Sequence, residues 1–293
     1  MRHKLKKTLV AYSFLLPNFL GFAIFTLIPI VFALALSFMS WDGANEVSFA
    51  GLKNFERLFS DETFRISTFN TFYYALGTVP LTLIFSLALA VLLLNAFKGR
   101  NVFRAIMFFP WVASLVAVAV VWNMIFHPVM GPVNNVLQAL GVKNPPAWAA
   151  STVWAMPTVI LVSIWKGAGY YMIIYLAALN GIPRYLYEAA EIDGAGKWRQ
   201  FWKITVPMLT PATFFVVMIL VINCFKVFDL IFVMTGGGPG RSTNVLVTEI
   251  YNMAFVEFNF GYSSAIALFL FVVVLIITIV QFRMEKKWVS YME

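Results

Sequence analysis

The sequence predicts an all-α integral membrane protein of six transmembrane helices with both termini on the cytoplasmic side. Three observations lead there. Of 293 residues, 61% are hydrophobic and 12% charged, about half the charged fraction of an ordinary soluble domain. Apolar runs long enough to cross a bilayer, which takes about 20 helical residues, recur six times. Lysine and arginine gather in alternate connections, as the positive-inside rule requires. The net charge of +8 belongs to that asymmetry; its residues are dispersed along one face of a membrane, which argues against nucleic acid. Cys224 is the single cysteine, so there is no internal disulfide and no cysteine metal site. His3 and His127 stand far apart, which leaves a histidine zinc site without ligands.

In order along the chain, Arg2, Lys4, Lys6 and Lys7 precede an uncharged stretch from Thr8 to Ser40, and the first span is placed at 11–38. That run exceeds the membrane thickness, so a tilted or broken helix is expected, with Pro17 and Pro29 as kinks. A signal peptide would also begin basic, and Ala33-Leu34-Ala35 resembles a cleavage site, but the apolar run is much too long for a signal core. The segment 41–70 is a polar external loop with one or two short amphipathic helices, for instance around GLKNFERLF. The second span covers 71–95, kinked near Pro80, and a basic link with Lys98, Arg100 and Arg104 leads to the third, 105–126. A Pro/Gly-rich external loop follows, then the fourth span at 150–179. The fifth covers 208–234, the external GGGPGRST follows it, and the sixth covers 263–282 before a basic tail.

With the N-terminus inside, the internal segments carry Arg2, Lys4, Lys6, Lys7, Lys98, Arg100, Arg104, Arg184, Lys197, Arg199, Lys203, Arg283, Lys286 and Lys287. The external loops carry only Lys53, Arg57, Arg65, Lys143 and Arg241. This orientation makes 181–207 a cytoplasmic loop within a single transmembrane domain, 1–293. Its core, Tyr187 to Pro207, reads YEAAEIDGAGKWRQFWKITVP. A short helix begins near Glu188, Glu191 and Asp193 add negative charge, and Gly194 and Gly196 break it, because glycine tolerates positive φ. A second amphipathic turn, Lys197 to Lys203, sets Trp198, Phe201 and Trp202 on one side until Pro207 stops it. Such a pair is too polar to cross a bilayer and too apolar to float free, so it needs a docking partner.

Glu188-Ala189-Ala190, then Gly194, Ile204, Val206 and Pro207 at their spacing, resemble the EAA signature of binding-protein-dependent ABC importer permeases, with Val206 where that signature prefers leucine. Neighbouring LAALNG, IPRYLY, MTGGGPG, GLKNFERLF and FRAIMFFPW are similar to the sugar-permease branch with the maltose and glycerol-3-phosphate importers. The likeness extends over nearly the whole chain. It implies a type I ABC importer permease fold in a bacterial cytoplasmic (inner) membrane. It also implies that Tyr187, Glu188, Ala189, Ala190, Asp193, Gly194, Ala195, Ile204 and Pro207 couple the chain to a separate ATPase. Glu188 would face basic groups of that subunit, and Ala189 and Ala190 would allow close approach. The partners implied are a second, homologous permease in a heterodimer, two ABC ATPase subunits and an extracellular or periplasmic sugar-binding protein, besides membrane lipid and a carbohydrate substrate. ATP and magnesium would be bound by the ATPases and no cofactor by this chain, which is expected to be no enzyme. GGGPGRST is no phosphate loop, since Arg241 stands where lysine is needed and no strand precedes it.

A sugar path must use polar and aromatic groups inside apolar spans, since intramembrane polar groups are costly and face cavities. The candidates are Trp111 and Ser114 on the third span, Ser163, Trp165, Lys166, Gly167 and Tyr170 on the fourth, and Asn223, Cys224, Lys226, Val227 and Asp229 on the fifth. The resemblance to the maltose permease implies substrate contacts at Trp111, Leu115, Ser163, Lys166, Gly167, Tyr170, Asn223, Cys224 and Val227. Lys166 and Lys226 admit two readings. They receive an acidic substrate, or they are structural, with Lys226 neutralised by Asp229 three residues on and Lys166 paired across helices or snorkelling. An ion-coupled secondary transporter is the alternative function, but it needs intramembrane carboxylates and Asp229 stands alone. A polytopic membrane enzyme needs a charged or metal-binding constellation, and the sequence offers none.

Overall fold

The computed structural model describes residues 2–94 and 98–288, with side chains over 12–94 and 98–285. The predicted end of the second span at residue 95, the basic side chains before residue 8 and the tail beyond 288 lie outside the described residues. Most of the described residues are helical. Four helices are long and apolar enough to cross a membrane, Tyr12–Leu36, Glu62–Leu92, Ala155–Asn180 and Phe260–Glu285, and two bent helix pairs add up to two more candidates. The chain divides into two compact units, residues up to 61 with 250–271, and 62–249 with 272–293.

In the first unit, α1 (Arg2–Phe22) and α2 (Ile28–Leu36) are joined by a π-helical turn, Ala23–Leu27, between the two expected proline kinks. Almost none of this helix is buried. A two-residue hairpin follows, β1 (Met39–Ser40) antiparallel to β2 (Ser48–Phe49), and then α3 (Lys53–Ser60). The hairpin loop is tied by Asp42, whose carboxylate accepts the backbone N–H groups of Asn45 (2.8 Å) and Ala44 (3.1 Å). Asn54 of α3 donates to the carbonyls of Ser37 (2.9 Å) and Met39 (2.8 Å). The start of α15 (Phe260–Trp288) closes this unit: Tyr262 donates to Asp61 at 2.8 Å, and Arg57 lies 3.9 Å from the centre of the Tyr262 ring. Gly261 approaches so closely that a Cβ there would sit 2.0 Å from the Met39 carbonyl oxygen.

The second unit holds α4 (Glu62–Leu92), α5 (Arg100–Val112), α6 (Leu115–Ile125), α7 (Pro132–Ala139) and α8 (Ala155–Asn180). It continues through α9 (Arg184–Ile192), α10 (Lys197–Gln200), α11 (Val206–Met208), α12 (Thr210–Phe225), α13 (Asp229–Met234) and the start of α14 (Leu246–Tyr251). Helix α8 is central, packing along α4, α5 and α12. Small residues permit this. A Cβ on Gly169 would lie 1.7 Å from the Met107 carbonyl oxygen, so α8 and α5 touch backbone to backbone, as small residues allow where helices cross in membranes. Tyr171, Met172, Tyr175 and Leu176 of α8 form the core with Ala90, Leu93, Val216 and Leu220. Beyond α13, the loop containing GGGPGRST is pinned to α4: Asn70 donates to the carbonyls of Arg241 and Asn244, each at 2.9 Å. Asn244 in turn donates to Ser67 (3.0 Å) and to the buried Glu249 carboxylate (2.7 Å).

Two predicted spans differ from a continuous helix. Over 105–126 the chain forms α5 and α6, which meet at 100° with a break at Ala113-Ser114. Over 208–234 the helix ends at Phe225, residues 226–228 leave helical geometry, and α13 resumes at Asp229. Pro207 does not stop the preceding helix: the helix runs Lys197–Met208 through a π-helical stretch, Phe201–Thr205, and bends by 63° into α12 just beyond the proline.

Candidate functional site

The passage 181–207 folds as two short helices around one turn. Helix α9 ends at Ile192, and the turn is a Schellman motif. The Ala195 N–H donates to the Ala190 carbonyl (2.8 Å) and the Gly194 N–H to that of Glu191 (3.0 Å), with Gly194 at φ +75°. Gly196 corrects the expectation: at φ −67°, ψ 162° it is extended and precedes α10, a conformation open to any residue. The Gln200 side-chain amide returns to the Ala195 carbonyl at 3.1 Å, and the Tyr187 and Thr205 hydroxyls bond at 2.9 Å. Tyr187 and Ile204 pack against the core cluster, so they brace the passage. The outward face is separate. Tyr185, Glu188, Ala189 and Ile192, at helical spacing, are all exposed, Ile192 to 88%. Asp193 is exposed at the turn. Among the described residues no basic side chain lies within 4.0 Å of Glu188. Trp198, Phe201 and Trp202 cluster with ring centres 5.2 to 6.2 Å apart, Trp198 being 75% exposed.

The second site is a cavity of about 440 Å³ between α4, α8, α12 and the two helix breaks. Trp111 and Leu115 line it from either side of the α5–α6 break, and Ser163, Lys166 and Gly167 line it from α8. Asn223, Cys224, Lys226, Val227 and Asp229 line it around the end of α12. Three candidates lie elsewhere. Ser114 is the residue before α6 begins. Trp165 faces a separate apolar cavity of about 800 Å³ and packs edge-on against Trp122 at 5.2 Å. Tyr170 stacks on Trp111, ring centres 4.3 Å apart and 13° from parallel, and so fixes a lining ring without lining the cavity itself.

Sequence reasoning missed the α4 wall. Tyr74, Thr78 and Thr82 line the cavity, and with Ser86 they form a stripe of hydroxyls at every fourth residue; that spacing was the available signal. Tyr74 donates to Ser163 at 2.8 Å, and Asn223 lies 3.5 Å from the Tyr171 hydroxyl. The pairing of Lys226 with Asp229 does not form. Helix α12 ends before them, and among the described residues neither has an opposite charge within 4.0 Å. Lys166 instead donates to three backbone carbonyls, Pro110 (2.9 Å), Trp111 (3.3 Å) and Ala113 (3.0 Å). Hydroxyls, amides and ring faces around one cavity suit a polyhydroxylated ligand. Among the described residues, no three His, Cys, Asp or Glu side chains converge as a metal site would require.

Residues 82–290 match the family described as "Binding-protein-dependent transport system inner membrane component". The probable ABC transporter permease protein YesP of Bacillus subtilis is 38% identical over 290 residues, covering 98% of this chain and 93% of that one. The trehalose/maltose transport system permease protein MalF of Thermococcus litoralis is 34% identical over 287 residues, covering 97% and 96%. The crystal structure of a bacterial ABC transporter that imports the acidic polysaccharide alginate contains a chain that superposes with a TM-score of 0.86 at 27% identity, covering 98% and 99%. All three are components of transport systems, two of them described as ABC transporters, and none supports the ion-coupled reading. Helical spans, the family match and these relatives together define a transport-system permease. The chain belongs to the family of binding-protein-dependent transport system inner membrane components, and it is a non-catalytic permease subunit of an ABC importer.

Proposed function

We propose that this permease forms half of the translocation path of a carbohydrate importer and is driven through the 181–207 passage. The observation that carries the reading is the passage itself: a Schellman turn between two braced helices that leaves Glu188, Ala189 and Ile192 facing outward. In this reading the chain spans a bacterial cytoplasmic membrane six times as one domain, with both ends inside. The two bent pairs count as one span each, and the lysine and arginine distribution supports the orientation. The exposed face of α9 seats in an ATPase subunit, where Glu188 meets basic groups and the small Ala189 permits close approach. Tyr187, Ala190, Ala195, Ile204 and Pro207 hold that face in place, while Asp193 and Gly194 form its turn. ATP and magnesium reside on two such ATPases, and a homologous second permease and an external sugar-binding protein complete the assembly. ATPase closure shifts the paired permeases as rigid bodies between inward- and outward-facing states. The cavity supplies the substrate path: Trp111 gives a ring face for the sugar, and Ser163, Asn223 and the α4 hydroxyls surround its rim.

The test is ATP hydrolysis by the complete complex in proteoliposomes, with Glu188→Lys beside wild type, over a panel of saccharide-loaded binding proteins. Stimulation by one saccharide in wild type, absent in the variant, supports the reading and identifies the substrate. Normal transport by Glu188→Lys refutes the coupling role.

A further inference from the structure

An ammonium group has three N–H donors, and Lys166 places its own against three acceptors, the carbonyls of Pro110, Trp111 and Ala113 at 2.9, 3.3 and 3.0 Å. Those carbonyls close helix α5. The final carbonyls of a helix have no partner within it, and the macrodipole gathers partial negative charge there. In a membrane, water is scarce, so a broken helix survives only where protein or a wet cavity satisfies its ends. The Phe109 carbonyl is met by the Ala113 N–H at 3.1 Å, and Lys166 answers for three more. The counter-charge for this intramembrane lysine is therefore a helix end rather than an acid.

We infer that Lys166 is a positioning residue. It ends α5, holds the 100° break open, and so sets Trp111 and Leu115, which flank that break, as one wall of the cavity. It does not read the charge of the substrate. This role rests on taking the cavity as the substrate path. Lys226 provides the contrast, since it lines the same cavity, is exposed, and among the described residues has no carboxylate within 4.0 Å.

The experiment compares Lys166→Met, Lys166→Arg and Lys226→Met in the complete transporter. Spin labels at the exposed positions 102 on α5 and 124 on α6 report the distance across the break. The expected result is a shifted and broadened distance in Lys166→Met, recovery in Lys166→Arg, whose guanidinium also donates to carbonyls, and no change in Lys226→Met. Uptake of maltotriose and of a uronate trisaccharide, whichever the wild type carries, should fall with Lys166→Met in the same proportion. If Lys166→Met fails to assemble and Lys166→Arg assembles, the capping role is supported. An unchanged distance in assembled Lys166→Met overturns it, as does selective loss of the uronate with neutral uptake intact. A shifted distance with uptake unimpaired leaves the cap standing and refutes the cavity as the path.

Discussion

Substitution of Gly194 isolates the turn of the coupling passage. Its φ of +75° is left-handed, and nothing lies within 4 Å of where a Cβ would be, so a side chain there meets backbone strain and no packing clash. Left-handed geometry costs an L-residue roughly 1–2 kcal/mol, with asparagine the best tolerated after glycine and β-branched residues the worst. An undocked loop relieves that strain by opening the Ala195–Ala190 and Gly194–Glu191 hydrogen bonds, and docking requires them closed again. The cost then appears as weaker binding of the ATPase subunit, about 5- to 30-fold for Gly194→Ala, less for Gly194→Asn and more for Gly194→Val. Titrating labelled ATPase subunit onto the permease pair in nanodiscs measures this directly. Wild-type affinity in both the alanine and valine variants would refute the argument, and so would an asparagine variant as weak as valine.

Three further expectations follow from the geometry. Gly169→Ala drives a Cβ to within 1.7 Å of the Met107 carbonyl oxygen. It should cost at least the roughly 1–3 kcal/mol of an overpacked core, seen as earlier thermal exposure of buried Cys224 to a thiol-reactive fluorophore in a complex whose other subunits lack cysteine. If Trp198 and Trp202 lie at the inner membrane surface, brominated lipids should quench their fluorescence in otherwise tryptophan-depleted chains; quenching by aqueous iodide alone would count against it. The backbone N–H of Asn45, then that of Ala44 and the Asn45 side-chain amide, hold the Asp42 carboxyl below its usual 3.8. A depressed carboxylate pKa adds stability above the unfolded value and loses it as pH falls through the folded one. The protection of the Ala44 and Asn45 amides, measured relative to their intrinsic exchange rates, should therefore be lost only below pH 3.8, and Asp42→Asn should remove that dependence.

The coupling passage was legible because its signals are local. A glycine two residues beyond a short helix foretells a left-handed cap, and Gly194 takes it; Gly196 misled because glycine also stands where nothing demands it. The cavity was legible by residue type and less so by direction. On α8, Ser163, Lys166 and Gly167 share a face at i, i+3 and i+4, while Trp165 points to the other side, and span polarity alone does not separate the two. The α4 hydroxyls passed unnoticed because a hydroxyl in an apolar helix can be accommodated by bonding its own backbone, as Ser86 of that stripe does to the Thr82 carbonyl at 2.5 Å. The Lys226–Asp229 pair failed because an i,i+3 argument presupposes a helix, and α12 ends at the residue before Lys226.

The two departures from straight helices converge on one place. The α5–α6 break and the α12–α13 break both line the same cavity, and each leaves helix ends that an apolar surrounding cannot satisfy. At the first break the end of α5 is taken by Lys166 of α8. Asn123 of α6 donates to the carbonyls that close α13 at its other end, away from the second break, Met234 at 3.1 Å and Val233 at 3.4 Å. Helix α6 and α13, which pack together, are thereby joined on the far side of both breaks from α5 and α12. Discontinuous helices at substrate sites are a recurrent device of transporters, because a break supplies irregular backbone and a change of direction where a continuous helix offers only side chains. The isolated charge of Lys166 inside an apolar run therefore marks the position at which a different span must break, and its partner is found by asking which helix end lies within reach.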